Sequence, residues 1–158
     1  MKKYFVLFVL VLSIISCETD DICIDETTPH LIIRFYDKTD TSKFKKVTNL
    51  KVEVVDAYDN IIKISKSSTD SIVIPLNIDL DLTKIQLTKN FSDTSDGIED
   101  SFTLSYNRED IFVSNSCGFK TVYNDINKQD ISINWIQNIN ILFANVDNEN
   151  QAHINILH

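Results

Sequence analysis

Three cysteines, three histidines and one acidic loop hold most of the reactive chemistry in this chain. His30, His153 and His158 are far apart, and no H-x-x-x-H or C-x-x-C pair supports a zinc site, so no metal is expected. Residues 92–100 (SDTSDGIED) invite a calcium reading. With Gly97 at the sixth loop position, the ligand positions would fall on Ser92, Thr94 and Asp96, which supply too few carboxylates for an EF-hand. The chain has only two glycines, Gly97 and Gly118, so a Walker loop, a dinucleotide fingerprint and a nucleophile elbow are all excluded, and no cofactor is expected. An enzyme would need acid–base groups that meet only in the fold, for instance carboxylates of 92–100 with His153.

The cysteines say more. Residues 1–17 read MKKYFVLFVLVLSIISC. Lys2 and Lys3 form a basic start, and the apolar run Tyr4–Ile15 is too short for the roughly 20 residues a membrane-spanning helix needs. It suits the apolar region of an export signal. The run ends Ile14-Ile15-Ser16-Cys17, which resembles the lipobox of bacterial lipoproteins. That resemblance implies cleavage before Cys17 and acylation of its thiol, and two or more acyl chains hold a protein stably on a membrane. The expected organisation is a signal peptide over 1–16, a lipid-anchored tether over 17–28 and one domain over 29–158. The alternative is an ordinary signal peptide with an incidental cysteine. Cys23 and Cys117 remain, and in an oxidising compartment two leftover cysteines have one possible pairing. Closing a loop near 100 residues is worth roughly 4–5 kcal/mol on chain-entropy estimates. Two buried free thiols or a reactive Cys117 are the competing readings, and no local Cys–His signature favours the last.

Arg34 is the single charge in the apolar stretch His30–Tyr36. It is a candidate binding residue, though a residue in that position also faces outward between two buried neighbours. Trp135, Phe143, Tyr106, Phe119 and Tyr123 are candidates for a sugar-stacking platform, against the commoner role of core aromatics. Asp70-Ser71-Ile72 fits a short glycosylation pattern but falls in an expected strand. His158, at the chain end, is expected to be mobile.

The elements that must position these residues are strands. Ile, Val, Thr, Ser, Asn and Asp dominate, and Ala57, Ala144 and Ala152 are the only alanines. β-Branched side chains lose rotamer freedom in helices and fit pleated sheets. Leu50, Val52 and Val54 alternate with polar residues, as do Ile85 and Leu87, and Phe102, Leu104 and Tyr106. Apolar runs at 30–36, 61–64, 71–76, 111–113, 119–123, 131–136, 139–143 and 153–157 complete the set, with 65–69 as a break and Pro75 marking a strand end or edge. Residues 124–130 could hold one helical turn. About eight to ten short strands with turns between them indicate an all-β antiparallel sandwich, Ig-like or similar.

Composition narrows the function. At 43% hydrophobic and 24% charged the chain is an ordinary globular one. Its net charge is −8, and loss of Lys2 and Lys3 with the signal peptide makes it more acidic. Nucleic acid is therefore not an expected partner, because phosphate neutralisation needs clustered Lys and Arg.

The chain also resembles a family of small lipoproteins from bacteroidete-type bacteria classed as a domain of unknown function. The resemblance rests on Cys17, Cys23, the segment TPHLIIRFYD at 28–37, NLKV at 49–52, DSIVIPL at 70–76, LSY at 104–106, SCGF at 116–119 and His153. It departs after Pro29, where Arg is expected and His30 stands. It implies no activity, and it supports pairing of Cys23 with Cys117. The expected role is a lipid-anchored envelope protein with a non-catalytic binding or structural domain, its partner an envelope protein or glycan. An envelope enzyme and a carrier of small apolar ligands are the alternatives.

Overall fold

The computed structural model describes residues 23, 27–55 and 60–158, so residues 1–16, the expected signal peptide, and Cys17 lie outside the described residues. Nine strands and no helix occur among them: β1 (Leu31–Tyr36), β2 (Val47–Val55), β3 (Ile61–Thr69), β4 (Ser71–Ile74), β5 (Leu82–Lys89), β6 (Ile98–Ser114), β7 (Gly118–Gln129), β8 (Asn138–Ile141) and β9 (Ile154–Leu157). They form a four-stranded sheet, β4-β1-β9-β8, and a five-stranded sheet, β3-β2-β5-β6-β7. The all-β sandwich expected from the alternation is the observed architecture.

Period-two alternation builds the core. Leu31, Ile33 and Phe35 of β1, Ile72 and Ile74 of β4, and Ile154 and Ile156 of β9 form the inner face of the smaller sheet. Val52, Val54, Ile85, Leu87, Phe102 and Leu104 form the facing layer. All belong to a single buried cluster. Glu53 points outward, yet it is largely covered because Lys51 (3.0 Å) and Lys63 (3.4 Å) lie across it.

The chain joins the two sheets at their margins. β3 ends at Thr69 in one sheet and β4 begins at Ser71 in the other, with Asp70 as the crossing point. Its carbonyl accepts from Phe35 N–H at 2.9 Å. On the opposite margin, residues 144–146 leave β8 and pair with β7 through reciprocal Tyr123–Val146 backbone bonds. Covering β7 in this way blunts an edge that would otherwise invite pairing with another chain.

Several elements depart from expectation. β1 and β9 pair in parallel, so the sandwich is mostly and not wholly antiparallel. Parallel neighbours need a long connection, and these two lie at opposite ends of the domain in sequence. β3 continues through 65–69, where a break was expected, because its partner β2 carries it to Thr69. The separate strands expected at 102–106 and 111–113 are one strand, β6, and the expected helical turn at 124–130 is strand β7. That segment bends because Asp125 takes φ 56° opposite the register shift between Ser105 and Asn107. Residues 131–136 form no strand.

Leu104 is fully buried between the sheets. Leu104→Ala is expected to lower unfolding free energy by about 3 kcal/mol in urea denaturation. A loss below about 1 kcal/mol would mean the two layers do not share this core.

Candidate functional site: the disulfide-tied hairpin

The β6–β7 hairpin outgrows the sheet. β5 starts at Leu82, opposite Ser105, so β6 beyond Tyr106 has only β7 beside it. From Asn107 to Phe112 the β6 strand of this two-stranded ribbon is exposed on both faces, while its partner β7 still buries Val122 and Tyr123 near the base and is exposed only toward the tip. This explains why the polar run Asn107-Arg108-Glu109-Asp110 is strand without alternating burial: there is no core beneath it. Cross-strand bonds hold the ribbon instead. Thr121 Oγ1 donates to Asp110 (2.7 Å), Asn124 Nδ2 to Glu109 (3.2 Å) and Asn107 Nδ2 to Asp125 (3.0 Å).

The base of the ribbon is braced against the loop at 75–81. Arg108 Nε donates to Asp81 Oδ1 at 2.6 Å, and its Nη1 donates to the Ile78 carbonyl. Beneath, Tyr106 and Tyr123 meet edge to face at 5.0 Å. Tyr106 Oη shares a 2.6 Å hydrogen bond with Thr83 and donates to Asn77 O, while Tyr123 Oη donates to Leu76 O. Burial pushes both phenols up to about 12, so they stay neutral donors.

The tip closes with residues 115–117 and Gly118, whose φ of 71° matches the left-handed position of a three-residue hairpin loop. Ser114 Oγ accepts from Cys117 N–H at 3.2 Å. Cys117 is joined to Cys23 by a disulfide, with Cα atoms 4.9 Å apart. Thr28 Oγ1 accepts from Thr121 N–H at 3.0 Å, so the entering chain lies along the outer edge of β7. Phe112 and Phe119 are direct cross-strand partners just before the turn, stacked edge to face at 5.4 Å. Both are exposed.

The other candidates from the sequence are drawn into structural roles. Arg34 faces outward on β1, its guanidinium 4.6 Å from the centre of the Phe44 ring, which also packs on Tyr36. Trp135, Tyr106 and Tyr123 are buried in the core and form no shared platform with the exposed Phe143 and Phe119. His30 donates its backbone N–H to Glu149 at 2.9 Å, and its Nδ1 lies 2.6 Å from the same oxygen. His153 is buried, which pushes its pKa down, and its Nδ1 accepts the Ile32 N–H at 3.0 Å. His158 is not a loose end: its N–H donates to Tyr36 O, and its ring meets Phe35 and Trp135 edge-on.

Asp100 is the residue the sequence reading missed as an individual. Placed in the acidic loop, it is in fact an inward-facing member of β6, 1% exposed. Its Oδ1 accepts from Ser132 Oγ and Asn134 N–H, and its Oδ2 from Trp135 N–H and Ile136 N–H, all at 2.7–2.8 Å. This carboxylate shapes residues 132–136 into a loop and sets Trp135 over Leu87, whose carbonyl accepts from Nε1. The only sequence signal was the Asp itself, falling two residues before Phe102 on the buried face. Asp100 and His153 hold different segments and do not converge on one another. Among the described residues, no three His, Cys, Asp or Glu side chains gather to hold a metal.

A family model described as a family of unknown function, DUF6452, matches residues 46–158, well over half of the chain. The chain belongs to this family. The DUF6452 match runs from the start of β2 to the chain end; it includes Cys117 and the hairpin, while β1 and Cys23 precede it. No curated protein and no solved structure matches the chain.

Two predictions follow from the buried carboxylate and the disulfide. Burial acts to raise the Asp100 pKa, but the amides of Asn134, Ile136 and Trp135 and the Ser132 hydroxyl outweigh it and hold the carboxyl below its ordinary range. Its stabilisation is full above the unfolded value near 4 and fades as pH falls through the lower folded value. Asp100→Asn turns an amide NH2 toward donors. It should cost about 2–3 kcal/mol at pH 7, with the gap to wild type narrowing in acid. A flat difference across a pH series of urea melts would contradict this. The paired substitution Cys23→Ser and Cys117→Ser should cost about 2–4 kcal/mol. It should also remove the dithiothreitol sensitivity of the wild-type melt; a wild type indifferent to reductant would contradict the bond's role.

Proposed function

We propose that this DUF6452 protein is a lipoprotein of the bacterial cell envelope, exported by residues 1–16, acylated at Cys17 and carried on the outer membrane. Residues 17–28 are its tether and 29–158 its single domain, a non-catalytic module that engages an envelope protein or glycan.

One observation carries the reading: the Cys23–Cys117 disulfide ties the domain to a point six residues beyond Cys17 in sequence. A disulfide persists in exported proteins and is kept reduced in the cytosol. Its position makes sense for an anchored chain, because any pull through the tether is delivered to the hairpin and, through it, to the main sheet. The non-catalytic half of the proposal is supported by what the ionisable residues do. Asp100, His153 and Glu53 are each engaged in holding backbone or neighbouring charges. Enzyme sites instead direct such groups into a cleft.

Cells grown with an azide-tagged palmitate should label the wild type at Cys17, and Cys17→Ala should abolish the label. The substituted protein should persist as the uncleaved precursor. Undiminished labelling, or a mature protein whose amino-terminal cysteine carries no acyl mass, would overturn the anchor. Protease shaving of intact cells then assigns the face of the membrane: loss of the domain places it outside, and protection places it in the periplasm.

A further inference from the structure

We infer that the tip of the β6–β7 hairpin enters the lipid surface to which Cys17 is attached, so that the domain is held at two points and not one. The inference rests on the anchoring proposed above and adds a lipid-contact site at Phe112 and Phe119.

Phe112 and Phe119 are 55% and 69% exposed, the latter among the most exposed large apolar side chains described. They stand opposite each other on one face of the ribbon, with Ile111, 39% exposed, on the other face beside Lys120. Neither face has a sheet behind it, so this apolar edge is a wedge with no core to join. Its backbone is already paired within the ribbon, and the last turn carries small polar residues, Ser114, Asn115 and Ser116. Exposed rings at a rigid polar turn suit the headgroup–acyl boundary, where aromatic side chains collect and burial by roughly 5–10 Å is enough.

Reach decides between occupants. Cys117 is in the tip itself and is bonded to Cys23. Six residues of chain extend at most about 20 Å, and the disulfide adds 4.9 Å between its Cα atoms, so an acylated Cys17 keeps the tip within about 25 Å of the bilayer at all times. At such an effective concentration, weak insertion by two rings suffices. A protein partner fits less well. Two rings bury about 500 Å² at most, short of the roughly 800 Å² per side of a stable protein interface.

The test uses the mature acylated protein, extracted from membranes and reconstituted in vesicles of phosphatidylethanolamine and phosphatidylglycerol, with and without phospholipid brominated along its chains. Phe119→Trp places an indole at the tip and changes the ring conservatively, and the buried Trp135 serves as an internal reference in the parent protein. The expected result is a blue-shifted indole that loses roughly half or more of its emission to the bromolipid, as an interfacial aromatic would, while the parent protein's emission is unchanged. A red-shifted, unquenched indole on acylated, vesicle-bound protein overturns the inference and leaves the anchor standing. An indole shielded from iodide in native membranes, yet exposed to iodide and unquenched by bromolipid in vesicles, also overturns it and assigns the tip to a protein. Absence of acyl mass on the Cys17 peptide, read from the same sample, overturns anchor and wedge together.

Discussion

A two-stranded ribbon cannot bury a side chain between layers, and that constraint governs the part of this molecule with the most exposed chemistry. Beyond Tyr106 β6 has no neighbour but β7, and β7 keeps only its bridge to Val146 at Tyr123, so the last part of the hairpin toward the tip has no third strand. Isolated hairpins of this kind are marginal in water. Here the ribbon is secured at its base by two core tyrosines and an ion pair, and at its tip by something other than a core. At the base, Arg108 links it to Asp81 and the Ile78 carbonyl, and the two tyrosines lock β6 and β7 to the loop at 75–81. At the tip, the disulfide replaces the missing layer with a covalent bond, and Thr28 satisfies an amide on the open edge. The polar cross-strand pairs between these ends can be solvent-facing because neither end depends on them.

The same economy of partners appears around Asp100. An ionised carboxylate at 1% exposure is tolerable only when its oxygens are occupied, and here four donors from one short segment meet it. A consequence is that residues 131–136, apolar enough to read as a strand, are folded into a loop. The amides of Asn134, Trp135 and Ile136 are taken by a side chain and cannot extend a ladder. Trp135 and Ile136 still reach the core, so hydrophobic burial is kept while regular structure is lost.

This difference shows where sequence pattern carries information and where it does not. Alternation at Leu50–Val54, Ile85–Leu87 and Phe102–Tyr106 identified strands because each sets apolar side chains over the core on one face and polar ones on the other. The same logic hid the length of β6, since its segment Asn107–Phe112 is exposed on both faces and has no alternation to read. It also mistook 131–136, because apolar content marks burial and is silent about which partner takes the backbone hydrogen bonds. The parallel pairing of β1 with β9 joins residues more than a hundred positions apart, which no local pattern encodes. The cysteine pairing was legible for a different reason: two candidates allow a single answer. The aromatic pair Phe112–Phe119 was legible as two apolar residues, but its register across a turn needed the structure.

The position of the disulfide relative to the brace has a mechanical meaning for an anchored chain. Force entering at Cys23 passes by a covalent bond to Cys117 and then along both strands of the ribbon toward Tyr106 and Tyr123. It arrives at β6, a central strand paired on both sides with β5 and β7. Without the bond, the same force would reach β1 first, a strand held by four backbone pairings to each neighbour. Peeling β1 would open the smaller sheet and expose Leu31, Ile33 and Phe35. Routing the load into the longest hairpin protects the sheet that the entering chain would otherwise unzip. For a chain anchored ahead of Cys23, a disulfide upstream of β1 and bonded to the tip of β6–β7 directs load into the larger sheet before it reaches β1.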